Sequence, residues 1–308
     1  MRATSRVGPT RAFGQEAVPC HKRGQRKRRA RRRCQQRRYA SIRNALCIRM
    51  HRCYREGMLS AARLVSEARL LSGLSRRQAA VMAGVSASTI SRIELGELDP
   101  TMSMLDRILA ACGWRLDESL RTFVDMDAVR AARRLLEPGL DLPATAGSAS
   151  YASRWEQSGV FRAQAEQARA DELCRRAAQY ASLSGRPGAR KYAARAWPRI
   201  ARSLEEAGEP WALTGAFAAR LYTKVATVVR TTIYVGDVAR SADAAGLELI
   251  SSGPYVTLIP FDETTSAGVQ EVEGGVRLAA FWQIVIDCFA GNGRMPDQAA
   301  AMVEEAYR

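Results

Sequence analysis

Apolar residues recur at helical spacing in two short segments that meet at Gly84-Val85. Ser86 suits the start of the second segment, because a serine hydroxyl can accept hydrogen bonds from the backbone N–H groups of a first helical turn. The few apolar positions of this second segment, Ile90 and Ile93, are expected to face a core. The first segment is expected to contribute Ala79, Ala80 and Val81 to the same core. The pattern predicts two short helices joined by a tight turn.

The outward face of the second predicted helix is small and polar. It carries Ala87, Ser88, Thr89, Ser91 and Arg92. Side chains of this size let a helix enter the major groove of duplex DNA, where their polar groups can bond base edges. The sequence therefore predicts a helix-turn-helix that reads DNA.

The stretch from Leu74 to Pro100 resembles the Xre/Cro family of phage-repressor-like domains. The shared features, in chain order, are LSRRQAA, GVS, STISRIELG and DP. The resemblance implies a domain of five helices over roughly residues 60–118, with Ala87, Ser88 and Arg92 reading bases. It also implies that Arg76 holds a phosphate at a helix N-terminus. Many relatives carry long amides where this chain has alanine and serine, so Arg92, which can bond a guanine with two hydrogen bonds, is expected to dominate specificity.

The candidate DNA-binding residues are therefore Arg76, Arg77, Gln78, Ser86, Ala87, Ser88, Thr89, Ser91 and Arg92. We expect the protein to use these residues to bind a palindromic, double-stranded operator as a homodimer. An alternative stays open, in which the same helices mediate only protein contacts.

The net charge of +16 comes from one end of the chain. Residues 1–57 hold 18 Lys and Arg but two acids, whereas residues 58–308 hold 29 basic and 29 acidic residues. The predicted DNA-binding domain, residues 58–120, is balanced, with seven of each sign. DNA binding must therefore depend on the local placement of a few arginines and on dimerisation rather than on a strong overall field.

The Arg-rich segment over residues 21–38 cannot pack a core, because like charges repel and few apolar side chains offset the entropy of ordering it. We expect residues 1–57 to be a disordered tail. Three interpretations are open: an arm that binds phosphates, a transit peptide, or a segment that is not part of the natural protein. The abrupt change of composition at Met58 favours the third.

The cysteines indicate no metal site. Cys34, Cys47 and Cys53, together with His51, match no paired-ligand spacing. The cysteines outside the tail, Cys112, Cys174 and Cys288, are expected to be small buried hydrophobes in a reducing cytoplasm. No apolar run reaches the length of a membrane span. We therefore expect a cytoplasmic protein without a metal, a cofactor or a membrane partner.

The remaining chain predicts a multidomain protein. Residues 121–150 are expected to form a helix over 125–136 and a linker over 140–150. A helical segment is expected to follow over 151–206, with breaks at 185–188 and near Pro198.

From residue 207 the pattern changes to one that predicts an α/β domain ending at 308. Its helices are predicted at 211–222, 239–245, 281–289 and 296–307, and its strands at 225–235, 247–250, 255–260 and 276–279. Residues 121–206 carry a net +5 and residues 207–308 a net −5, so the helical block either docks on the α/β domain or adds a DNA contact.

Residues 195–308 are similar to the C-terminal region of AbiEi-type antitoxins of type IV toxin–antitoxin systems. The resemblance rests on ALTGAFAARLY, VRTTIYV, IPFDE and FWQIVIDCFAGNGRMPDQAAAMVEEA. It implies a nucleotidyltransferase-like fold in a protein that represses its own operon and counteracts a toxin encoded beside it.

Catalysis is not expected. Nucleotidyl transfer needs two carboxylates on one strand face to hold Mg²⁺, and the expected strand, RTTIYV, has none. Asp237 follows that strand alone, and Asp262 lies at the end of another. The chain's histidines lie in the tail, and no phosphate-binding glycine loop is present. The prediction is an autorepressing antitoxin that is not an enzyme. Two alternatives remain: a plain repressor whose C-terminal domain senses a ligand or protein, and a nucleotidyltransferase with an autoregulatory DNA-binding domain.

Overall fold

Four short helices open the part of the chain that the structure describes. The structure is a computed structural model and describes residues 60–116, 120–159, 165–225 and 230–308. The predictions for residues 1–57, including the cysteine and histidine candidates, lie outside these residues. The four helices are α1 (Ala61–Leu71), α2 (Arg76–Ala83), α3 (Ala87–Glu94) and α4 (Met102–Ala111).

Each of these helices begins at a hydroxyl side chain that accepts a hydrogen bond from the third residue of the helix. The caps are Ser60, Ser75, Ser86 and Thr101. A cap of this kind is worth about 1 kcal/mol, so the starts of all four helices are encoded locally.

The core of this region agrees with the apolar pattern except at one position. Ile90 and Ile93 of α3 are fully buried, as predicted, and so are Ala79 and Ala80 of α2 to within 2%. Val81, predicted to face the core, is only partly buried. The inward stripe of α2 continues instead through Met82 and Ala83.

The prediction of five helices over residues 60–118 is wrong. After α4 the chain turns at Gly113, whose φ of 79° lies in the left-handed region that glycine adopts readily. The next residues form β1 (Trp114–Leu116), which pairs antiparallel with β2 (Leu120–Thr122). A β-carbon at Gly113 would lie 3.1 Å from the Gln179 Cβ, so the turn also allows a close approach to a later helix.

Three helices follow: α5 (Met126–Leu136), α6 (Ala146–Ser158) and α7 (Glu166–Ala178). The predicted linker over 140–150 is partly helical, because Thr145 caps α6 in a capping box with Ser148. Its first half is held against α5, where Leu142 is buried and Arg130 Nη1 donates to the Pro143 carbonyl oxygen over 3.0 Å. The segment is therefore packed structure.

The C-terminal region is built on a mixed sheet of six strands in the order β3-β6-β5-β4-β8-β7. The strands are β3 (Arg190–Ala193), β4 (Trp211–Thr214), β5 (Thr232–Val235), β6 (Tyr255–Pro260), β7 (Gln270–Val272) and β8 (Val276–Leu278). The pairs β5–β6 and β4–β8 are parallel, and the other pairs are antiparallel.

Helices lie between and after these strands along the chain. They are α8 (Trp197–Glu206), α9 (Gly215–Ala219), α10 (Val238–Ala244), α11 (Glu263–Ser266), α12 (Phe281–Ala290) and α13 (Met295–Ala306), with a 3₁₀ turn at Leu183–Gly185. Helix α12 packs against β4 on one side and against α7 and α13 on others. Among the described residues, none of the helices is long and apolar enough to cross a membrane.

The structure corrects three elements predicted for residues 151–308. Trp211–Thr214 is a strand, not the start of a helix over 211–222, and all four of its residues are buried. Residues 247–250 make only an isolated bridge, between Leu249 and Tyr192. Arg190–Ala193, predicted as part of a helical segment, is strand β3. The predicted strands over 255–260 and 276–279 and the last two helices are confirmed to within one or two residues.

A buried polar cluster joins the sheet to α12. Asp287 is fully buried and accepts hydrogen bonds from Arg186 Nη2 at 2.5 Å, Thr214 Oγ1 at 2.5 Å, Tyr234 OH at 2.8 Å and Gln283 Nε2 at 2.9 Å. Four donors compensate the buried carboxylate, which would otherwise be costly in a low-dielectric interior. The cluster therefore ties β4, β5 and α12 into one core.

Candidate nucleic-acid interface

The turn between α2 and α3 depends on a glycine in the left-handed region. Gly84 has φ of 64° and ends α2, and the Val85 N–H then donates back to the Ala80 carbonyl oxygen over 2.9 Å. Ser86 follows in extended conformation and caps α3. The predicted junction at Gly84-Val85 is thus confirmed, and it sets the direction in which α3 leaves α2.

The N-terminus of α3 presents a cluster of hydroxyl groups. Ser86 Oγ accepts from the Thr89 N–H over 3.0 Å and lies 2.8 Å from Ser88 Oγ and 2.7 Å from Thr89 Oγ1. Ser86 and Ser88 are exposed, and Thr89 is partly exposed. Each hydroxyl can rotate between donor and acceptor roles, so the cluster can exchange internal bonds for bonds to an incoming polar group.

The outward face of α3 carries the remaining candidates. Ala87 and Arg92 are exposed and Ser91 is partly exposed, while Ile90 and Ile93 anchor the opposite face. Within the described part of the chain, no hydrogen bond or ion pair holds the Arg92 guanidinium to the protein surface. The face is small, polar and open to solvent, as the sequence pattern predicts.

A buried carboxylate at the end of α3 organises the arginines around it. Glu94 has a side chain only 3% exposed and binds Arg69 Nε of α1 at 2.5 Å and Arg76 Nε of α2 at 2.7 Å. Burial alone would raise the pKa of Glu94, but the hydrogen bonds from Arg69 and Arg76 hold it below its ordinary value. One carboxylate therefore ties three helices together.

This arrangement bears on the phosphate role expected for Arg76. The Arg76 side chain is half exposed and lies at the first residue of α2, but Glu94 holds its Nε. The pairing orients the guanidinium while leaving half of the side chain accessible to a phosphate. The adjacent Arg77 is exposed. The phosphate role of both residues stays a prediction.

Gln78 has a structural task that the sequence analysis did not assign. Its Oε1 accepts from the Ser75 N–H over 2.9 Å, and Ser75 Oγ accepts from the Gln78 N–H over 3.2 Å, forming a capping box. One acceptor site of the amide oxygen is therefore engaged at the helix start, and the amide nitrogen is the donor that a DNA contact would use.

The roles of Glu94 and Arg69 were missed from sequence. A signal was present, because Glu94 is the one acid between residues 68 and 96, a stretch with four arginines. A single acid at the buried end of an amphipathic helix needs a cationic partner. The charge count alone could not show which arginines fold back to it.

The carboxylates weighed for metal binding have structural roles. Asp237 follows β5 and caps α10 by accepting from the Arg240 N–H over 2.7 Å. Asp262 follows β6 and caps α11 by accepting from the Thr265 N–H over 2.7 Å. Within the described ranges, no group of three or more metal-binding side chains is found.

The thiols outside the tail are free and buried, as predicted; they belong to Cys112, Cys174 and Cys288. Burial raises the pKa of the Cys112 thiol to about 12. All three thiols are therefore protonated at neutral pH and chemically quiet.

Comparison with known proteins identifies the region that contains α1 to α4. Residues 65–119 match the family model described as Helix-turn-helix. This region is a helix-turn-helix domain. The match supports a DNA-binding transcription regulator and agrees with the Xre/Cro-type resemblance of the sequence. No curated protein and no solved structure matches the chain. The antitoxin resemblance and the nucleotidyltransferase-like fold of the C-terminal region therefore stay predictions.

Proposed function

We propose that this protein is a sequence-specific transcription regulator that inserts α3 into the major groove of an operator. The proposal rests on the difference between the two faces of α3. Ile90 and Ile93 are fully buried on one face, whereas Ala87, Ser88 and Arg92 face solvent on the other. A helix anchored in this way can approach base edges without losing its core contacts. The family match over residues 65–119 supports the same role.

We propose that α2 contacts the DNA phosphates and α3 contacts the bases. Arg76 and Arg77 lie at the N-terminus of α2, where positively charged side chains and unpaired backbone N–H groups favour a phosphate. Arg92 lies in the last turn of α3 and is proposed to bond a guanine. Phosphate contacts set the register of the protein on DNA, and the base contact supplies specificity.

We further propose that the protein acts as a homodimer on a palindromic operator. One short helix reads only a few base pairs, and a two-fold pair of such helices doubles the recognised sequence. The half-sites of such operators lie one helical turn apart, about 34 Å, or at multiples of that distance. The balanced charge of residues 58–120 also favours a dimer, since one domain without net positive charge attracts DNA only weakly.

Selection from randomised duplexes tests this proposal. The full chain is used to enrich bound DNA, and the enriched sites are measured by fluorescence anisotropy and by sedimentation. We expect a palindromic consensus, bound by two copies of the chain, at least a thousandfold more tightly than random DNA. Enrichment of no sequence over the starting pool would reject the proposal.

The antitoxin role is a narrower proposal. It rests on the resemblance of residues 195–308 to AbiEi-type antitoxins. If it holds, the gene is co-transcribed with a toxin gene, and expression of this protein restores growth to cells that express the toxin. A reading frame without such a neighbour, or a toxin that stays lethal in the presence of this protein, would favour a plain repressor with a ligand- or protein-sensing C-terminal domain.

We also propose that the protein is not an enzyme. Asp237 and Asp262 each cap a helix, and strand β5 carries no carboxylate. Incubation with labelled nucleoside triphosphates and Mg²⁺ is expected to give no transfer product. A product that disappears in Asp237→Asn would instead establish a nucleotidyltransferase.

A further inference from the structure

A cleft lies at one end of the C-terminal sheet, far along the chain from the helix-turn-helix. Its volume is about 400 Å³, and Arg195, Arg230, Thr231 and Tyr255 are among the residues that line it. Thr231 and Tyr255 stand at the N-terminal ends of the parallel strands β5 and β6. Asp237 and Asp262 follow the carboxyl ends of the same strands, so the cleft lies at the opposite, N-terminal end of these strands.

Two cations lie against the Tyr255 ring at this end of the strands, and a third lines the cleft. Arg230 Nη1 donates to Tyr255 OH over 2.7 Å, and the Arg230 Cζ lies 5.1 Å from the Tyr255 ring centroid. Lys191 Nζ lies 4.7 Å from the same centroid. Arg195, which lines the cleft, donates to the Ala245 carbonyl oxygen. Each contact holds a side chain near the cleft without neutralising its charge.

In the described ranges, Lys191, Arg195 and Arg230 take part in none of the salt bridges, although other arginines of the C-terminal region pair with acids. Arg195 and Arg230, which both line the cleft, carry like charges, and a bound anion would relieve their repulsion.

The chemistry of the lining narrows the class of ligand. Guanidinium groups match the geometry of phosphate oxygens, and Thr231 adds a hydroxyl at the same cleft. The volume lies within the usual range of small-molecule sites, roughly 300–1,000 Å³, and exceeds what a single phosphate requires. Pro254, Val256 and Tyr255 supply apolar and aromatic surface for the organic part of a ligand.

We propose that this cleft binds a small phosphate ester with a ring-bearing organic group, of the size of a nucleoside monophosphate. The phosphate is held by Arg195 and Arg230, with Lys191 reinforcing the field, and the ring lies against the apolar lining. The inference goes beyond the proposed DNA binding and uses none of its residues. It gives the C-terminal region a ligand-binding role.

Titration calorimetry of the full chain with the four ribonucleoside monophosphates tests the proposal. Adenosine and inorganic phosphate are the controls for the ring and the phosphate alone. We expect at least one monophosphate to bind at least tenfold more tightly than either control. We expect Arg230→Ala, which removes an exposed side chain, to weaken that binding at least tenfold, and Arg195→Ala to do the same.

Two comparisons make the outcome decisive. Arg202→Ala, an exposed arginine of α8 that does not line the cleft, is expected to bind like the wild type. Thermal unfolding by circular dichroism shows whether Arg195→Ala still folds; if it does not, Arg230→Ala and Lys191→Ala carry the test. Absence of binding by all four monophosphates at 1 mM would overturn the proposal, as would unchanged binding in Arg230→Ala.

Duplex DNA distinguishes the other source of phosphate. If Arg230→Ala weakens binding of random duplexes while no monophosphate binds, the cleft holds the DNA backbone and the proposal is wrong. If wild-type and Arg230→Ala proteins bind the operator equally while the monophosphate affinity falls, the ligand site stands whatever the fate of the DNA-binding proposal.

Discussion

Arg176 of α7 donates from Nη1 to the carbonyl oxygen of Ser72, the residue that ends α1, over 2.5 Å. Gln179 Nε2 donates to the same oxygen over 2.8 Å. Tyr180 OH donates to the Ala111 carbonyl oxygen at the end of α4 over 2.9 Å. The last carbonyls of a helix lack partners within the helix. Here the later helices supply them, so the helix-turn-helix is fixed to the rest of the chain through its helix ends.

Arg176→Ala is therefore expected to lower the free energy of unfolding by about 1–3 kcal/mol, because it removes a charged donor from the Ser72 carbonyl oxygen, which keeps Gln179 Nε2, and breaks the ion pair with Glu172. Urea unfolding followed by circular dichroism measures the change. Arg169→Ala, an exposed arginine on the same helix, is the matched control and is expected to unfold like the wild type. Equal urea midpoints for Arg176→Ala and Arg169→Ala would show that the contact carries no stability.

Arg92→Ala is expected to weaken binding to the selected operator by about 1–3 kcal/mol and to relax preference at one base pair of each half-site. The reason is that Arg92 is the one long side chain on the exposed face of α3. Anisotropy titrations against the consensus and its single-base variants measure both effects. Arg107→Ala, exposed on α4, is the control. Wild-type affinity and base preference in Arg92→Ala would reject the docking of α3 described above.

Arg77→Ala and Arg76→Ala are expected to weaken binding to all sequences alike and to reduce the slope of log K against log salt by about 1 each. They differ in stability. Arg76→Ala leaves the buried Glu94 with Arg69 alone and should lower the urea midpoint, whereas the exposed Arg77 has no such partner among the described residues. Binding titrations at several salt concentrations, paired with urea unfolding, separate the two effects. A sequence-dependent loss in either variant would contradict a phosphate role.

The helix-turn-helix could be predicted from sequence because its signals are local. Serine and threonine caps begin its helices, Gly84 supplies the turn, and Ile90 and Ile93 mark the inner face of α3. Each signal lies within a few residues of the feature it encodes. The salt bridges of Glu94 span 18 and 25 positions along the chain, and no local pattern specifies such pairings.

The C-terminal sheet was harder to predict for a related reason. Strand β4 lies between β5 and β8 with all its residues buried, so it shows no alternation of apolar and polar positions. Its sequence, WALT, continues into a short helix and reads as helical throughout. Strand β3 is a four-residue edge strand rich in charge, and only its pairing with β6 defines it. Asp287 and Arg186 lie 101 positions apart, and only the folded chain brings them together.

Acidification is expected to destabilise the helix-turn-helix through Glu94. Its pKa is lowered in the folded state, so the folded protein binds fewer protons than the unfolded chain as the pH falls below the ordinary glutamate value. The stabilisation from the two arginine pairs is therefore complete above that value and is lost as the pH falls through the lowered pKa. We expect the difference in urea midpoint between wild type and Glu94→Gln to be large at pH 7 and to shrink as the pH approaches 3. Glu97→Gln, an exposed residue just beyond α3, should show little difference from wild type at any of these pH values. A wild-type advantage over Glu94→Gln that stays constant from pH 7 to pH 3 would mean that the carboxylate charge does not hold the three helices together.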